Sequence, residues 1–109
     1  MRKTDKKIDK AIVAVLTESC EIAKDEYDGF QWLTHFVNYS NFPGSLQVLC
    51  VFDTNEQLER VDMQAIHALI QSGLEAIDIN FAKASLQLSF DTEENCMREN
   101  KGDWNKRIG

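Results

Sequence analysis

Apolar residues recur at helical spacing near the start of the chain. Ile8, Ile12, Val15, Leu16, Cys20 and Ala23 fall on one face of a helix predicted from about Asp5 to Lys24. Thr4 or Asp5 can cap its start, and Asp28-Gly29 offers a left-handed stop. The period then shortens. Gln31 to Tyr39 is rich in aromatic and β-branched residues. Leu46 to Phe52 alternates, with Leu46, Val48, Cys50 and Phe52 on one face and Leu49 and Val51 on the other, the pattern of a strand covered twice. Between the two runs, Phe42-Pro43-Gly44-Ser45 puts Pro and Gly where a type II turn needs them, which predicts a hairpin.

Asp53 with Glu56 fits a capping box that opens a helical stretch. A second helix is predicted from about Asp62 to Ala76, with Ile66, Leu69, Ile70, Leu74 and Ile77 facing inward. Leu86, Leu88 and Phe90 alternate as a strand, and Ile77, Ile79 and Phe81 as a short strand or a loop. Phe90-Asp91-Thr92-Glu93-Glu94 repeats the earlier Phe52-Asp53-Thr54-Asn55-Glu56, which reads as one strand-to-helix junction used twice. A short helix from Glu93 to Arg98 and an irregular tail from Lys101 to Gly109 complete the chain. The order α-β-β-α-(β)-β-α predicts an α+β fold. Its sheet is expected to be small, mostly antiparallel and of three to four strands, with helices packed on one face and residues 1–109 in a single domain.

Composition adds an asymmetry that the pattern does not carry. The net charge is −6, yet residues 1–10 hold five basic and two acidic side chains, and residues 101–109 hold three basic and one acidic. The body between them is left with four basic against fifteen acidic groups, or −11. An acidic body with two basic ends disfavours nucleic-acid binding by the whole surface. The first helix also sets its charges against its dipole. Lys6, Lys7 and Lys10 crowd the positive end, and Glu21, Asp25 and Glu26 the negative end. Partner binding is one explanation for several misplaced charges together, with the basic end docking on an acidic surface such as a second subunit. Ordinary solvation of the helix face is the other.

Candidate chemistry is sparse. Cys20, Cys50 and Cys96 form no C-x-x-C pair, which argues against a disulfide framework or a zinc cage. His35 and His67 stand in no metal-ligating spacing. Asp53 and Asp91, each with a nearby Glu, resemble paired acids, but capping accounts for the same spacing. There is no Gly-rich phosphate loop and no nucleophile motif, so no catalytic, cofactor or metal site is assigned. The basic start is followed by an apolar run of only Ala11 to Leu16, too short for an export signal or a membrane span, so a cytoplasmic location is expected. In the tail, Trp104 between Lys101, Lys106 and Arg107 either stacks on a base or folds back to anchor the C-terminus. Phe42 is expected at an exposed hairpin tip.

Gly29 to Ser45 (GFQWLTHFVNYSNFPGS), Ser89 to Glu94 (SFDTEE) and the start MRKTDKKID resemble a group of short uncharacterised bacterial proteins, over nearly the whole chain. Some members carry the label Fis family transcriptional regulator, which implies DNA binding through a C-terminal helix-turn-helix. Read from its own residues, the C-terminal third offers a strand at Leu86 to Phe90 and an acidic stretch at Thr92 to Asn95.

The residues therefore lead to a non-catalytic interaction or regulatory domain that self-associates or binds another protein. Lys3, Lys6, Lys7, Lys10, Phe42, Trp104, Lys106 and Arg107 are the candidate contacts. A nucleic-acid-associated regulator using the two basic ends is the second reading. A small metal-dependent hydrolase built around His35 and His67 is the third.

Overall fold

The computed structural model describes residues 3–79 and 86–109. The first helix, α1, runs Lys3–Glu26, about 36 Å at 1.5 Å per residue. Its buried stripe of Ile12, Leu16, Ser19 and Ala23 follows the predicted face. Gly29, with φ +85°, turns the chain into strand β1, Phe30–Phe36. A short 3-10 turn, Tyr39–Asn41, leads to β2, Gln47–Phe52. Gly44 keeps out of the left-handed region that a type II turn demands at its position, so the hairpin closes through this turn instead. Ser45 Oγ takes part by accepting from Asn38 N and donating to Asn38 O.

After β2 come α2, Asn55–Arg60, and α3, Met63–Glu75. Thr54, one residue after the expected Asp53, is the N-cap of α2. It forms a capping box with Gln57 rather than with Glu56. Asp62 caps α3. The described part of the possible strand after α3 is not a strand: residues 76–78 make a turn with Asp78 at φ 66°, and Ile79 is buried. Phe81 lies outside the described residues.

Strand β3, Gln87–Thr92, pairs with β2 in parallel, whereas β1 and β2 are antiparallel. The sheet order is β1-β2-β3. The described sheet is thus mixed rather than mostly antiparallel. The reason is connectivity. β2, α2, α3 and β3 form a strand–helices–strand crossover, which returns the chain in the same direction. The alternating but doubly apolar Leu46–Phe52 run suits such a central strand.

Helices also occupy both faces rather than one. On the first face, Ile12, Leu16, Ile66, Ile70 and Leu74 from α1 and α3 enclose Val48, Cys50 and Phe52. A bulge between Phe30 and Trp32 breaks the alternation of β1. Phe30 therefore meets Phe52 edge-on at 5.4 Å, while Trp32 pairs with Val51 on the opposite face. That face receives α4, Glu93–Asn100, and α5, Trp104–Ile108, so the tail expected to be irregular is helical. Trp104 packs edge-on against Trp32 at 4.9 Å and fixes α5 there.

Candidate functional site

The outward face of α1 is the most distinctive surface. Lys3, Lys6, Lys7 and Lys10 are spaced i, i+3, i+4 and i+7, which places them in one stripe. All four are exposed, on the side of the helix away from Ile8 and Ile12. Among the described residues none of the four has a hydrogen-bond or ion-pair partner. The same stripe continues through Val13, 46% exposed, and exposed Ala14 and Thr17. It ends on exposed Glu18, Glu21 and Asp25, with Lys24 paired to Glu21 at 3.7 Å. One helix face therefore runs from positive through small and apolar to negative. This is the reverse of what the helix dipole favours.

The other basic end is built into the fold. Arg107 donates to both oxygens of Asp91 and also pairs with Glu99 and Asn100. Burial works to raise the Asp91 pKa, but the Arg107 hydrogen bonds and the backbone N–H of Thr92 hold it below the usual carboxylate value. The same carboxylates keep the Arg107 guanidinium firmly protonated. Glu93 accepts from Trp32 Nε1 at 2.7 Å and from Trp104 Nε1 at 3.2 Å, which joins β1, α4 and α5. Of the tail cations, Lys101 and Lys106 are exposed. Phe42, expected at an exposed tip, is half-buried against the core and lies 5.5 Å from the Tyr39 ring.

His35, His67 and Asp91, three of the residues considered for catalysis, are engaged elsewhere. Asp9 Oδ1 accepts from Tyr39 Oη at 2.7 Å and lies 3.3 Å from His35 Nε2. The Tyr39 bond is the main reason the Asp9 pKa is lowered, and burial with that same bond raises the Tyr39 pKa. His67 Nε2 donates to the carbonyl of Leu86 at 3.0 Å. The two histidines share no partner: His35 belongs to one edge strand, and His67 reaches the segment entering the other. Burial pushes the Cys50 thiol up to about 12 and also raises that of Cys96. Among the described residues no group of three His, Cys, Asp or Glu side chains is placed to hold a metal ion. The groove between α1 and α3, about 770 Å³, is lined mostly by small and apolar residues such as Ala68, Leu69, Ser72 and Gly73, together with Glu18 and Glu26.

The repeated Phe-Asp-Thr phrase occupies adjacent parallel strands, and the junctions bond to one another. Thr92 Oγ1 donates to Asn55 Oδ1, Asn55 Nδ2 donates to Asn95 Oδ1, and Glu94 N donates to Asp53 O. Sequence reading did not find the Asp9–Tyr39–His35 group or the Asp91–Arg107 pair, because each joins residues far apart in the chain. The one available signal for the second was an Asp inside a strand pattern, a residue strands avoid unless it is paired.

A search of protein-family models, of curated proteins and of solved structures finds no match for this chain.

Proposed function

We propose that this domain is a non-catalytic protein-interaction or regulatory module, and that the outward face of α1 is its contact surface. The observation that carries this reading is the stripe of four exposed lysines, unpaired among the described residues, at the helix end where positive charge is disfavoured. In the first turn such a charge costs the helix about 0.3–1 kcal/mol, so a partner that neutralises Lys3 and Lys6 removes a standing cost. An acidic protein surface meets that requirement. A nucleic acid would also meet the lysines, but it would then face a body of charge −11. The C-terminal arginine that a two-ended nucleic-acid grip would use is held by Asp91 and Glu99. Of the groups considered for catalysis, His35, His67 and Asp91 each have a structural partner, which further supports a binding role.

Zero-length carbodiimide coupling in an extract of the native host tests the reading. Amide links should join Lys3, Lys6, Lys7 or Lys10 to carboxylates of another polypeptide, and 0.5 M salt should suppress them. Oligonucleotide titrations at low salt should stay flat. Links at the stripe no more frequent than those at exposed Lys101 and Lys106 would refute the reading.

A further inference from the structure

We infer that the partner is a second copy of this chain, docked through α1 packed antiparallel on its twin about a two-fold axis at Ala14. This rests on the reading of α1 as a contact face and adds the occupant and the register.

The argument is charge complementarity of the face with itself. Laying α1 antiparallel on a copy with Ala14 opposite Ala14 places Lys10 opposite Glu18, Lys7 opposite Glu21 and Lys3 opposite Asp25. The two-fold axis makes each pair twice. All of these residues are exposed, and they occupy one stripe of the helix. A parallel arrangement would stack lysine on lysine and carboxylate on carboxylate. The antiparallel one also sets the two helix dipoles head to tail, so the charges misplaced within one chain sit well for the pair. At the axis Ala14 is small enough for helices to approach within about 8–10 Å, and half-exposed Val13 supplies apolar area beside it. Asp5 and Asp9, the acidic residues of the basic end, lie off the stripe. Asp9 is turned toward Tyr39 and His35.

The seam is narrow and mostly polar, so the complex belongs to the small, weak class of interfaces and is governed by ionic strength. It forms at low salt and high protein concentration and weakens steeply as salt rises.

Sedimentation velocity of three proteins tests the proposal: the native chain, a basic-to-acidic variant (K3E/K7E/K10E) and an acidic-to-basic variant (E18K/E21K/D25K). The native chain at low salt should sediment as a dimer, with at least a tenfold rise in dissociation constant between 50 and 300 mM salt. Each variant alone should sediment as a monomer, because both faces of its own dimer then carry one sign. An equimolar mixture of the two should recover the dimer. The substitutions are on exposed positions, and recovery in the mixture shows that both variants are folded. Where a mixture fails, far-UV circular dichroism identifies a variant that did not fold, and single-pair variants, K7E with E21K, replace the triples. Folded variants that do not recover in mixture, or that dimerise alone as the native chain does, overturn the proposal. A monomeric native chain whose lysine stripe still couples to foreign carboxylates would overturn the dimer and leave the interaction reading standing. No intermolecular coupling at the stripe would remove both.

Discussion

Thr92 is fully buried, and its hydroxyl both donates to Asn55 and accepts from the backbone N–H of Asn95 at the start of α4. Replacing it with Val keeps the shape and leaves both partners unmet. Loss of an N-cap costs about 1 kcal/mol, with a range near 0.5–2, and the stranded Asn55 carbonyl places this site toward the upper end. A lowered urea midpoint with unchanged m-value is the expected result for Thr92→Val. Gly29 is the second sensitive residue. Its φ of +85° strains any side chain, and a Cβ would come within 2.1 Å of Gln57 Oε1, the group that closes the capping box of α2. Gly29→Ala should therefore lower stability by about 1–3 kcal/mol, measured in the same way.

At the scale of elements, the bond between Tyr39 and Asp9 ties the chain after β1 to α1 and sets a pH dependence. The depressed Asp9 pKa means that the folded state favours the carboxylate. Its contribution is therefore present above the unfolded value near 3.9 and is lost as pH falls through the lowered folded one. Tyr39→Phe should be less stable than the native chain by about 1 kcal/mol at pH 7, a modest figure because the carboxylate is a third exposed. The gap should narrow once the pH falls below the unfolded value of about 3.9 and go on narrowing with further acidification. Paired urea melts at pH 7 and across the acid range check both the size and the narrowing. For α1, an exposed lysine in the first turn works against the dipole. Lys3→Glu should stabilise the isolated fold by about 0.3–1 kcal/mol while weakening association. A variant that is more stable yet associates less well is the signature of a charge retained for contact.

The elements differed in how far the sequence exposed them. α1 and α3 were legible because their apolar residues repeat at helical spacing over many turns, and Asp62 marks a start by local chemistry. The hairpin was legible from two strand-like runs close in the chain, but not its turn, which Gly44 does not form in the expected way. The parallel pairing of β3 was hidden, since strand direction depends on a long crossover and leaves no local mark on Leu86–Phe90. The helical tail was hidden for a related reason. A five-residue helix has little intrinsic stability, and α5 depends on Trp104 meeting Trp32 and on Arg107 meeting Asp91. The candidate contact face was half legible. The charges of α1 were visible as misplaced, whereas the exposure of Lys3, Lys6, Lys7 and Lys10, and their lack of partners among the described residues, emerged only from the fold.

At the scale of the whole molecule, the charge division resolves into two different things. The C-terminal basic end is partly spent inside, where Arg107 holds α5 onto the acidic junction of β3. The N-terminal basic end remains on the surface, in line with a carboxylate patch on the same helix. In the proposed register that geometry makes the molecule complementary to itself, and the proposed complex responds to ionic strength. It also makes a prediction of register that one measurement can read. A cysteine placed at Ala14 in a Cys20→Ser background should form a disulfide-linked dimer under mild oxidation, faster at low salt than at high salt. A cysteine at Lys3 alone should not, since its opposite number is Asp25, and mixing Lys3→Cys with Asp25→Cys should restore linkage. Linkage at Lys3 alone as fast as at Ala14, or no salt-sensitive linkage at Ala14, would contradict the antiparallel α1 dimer.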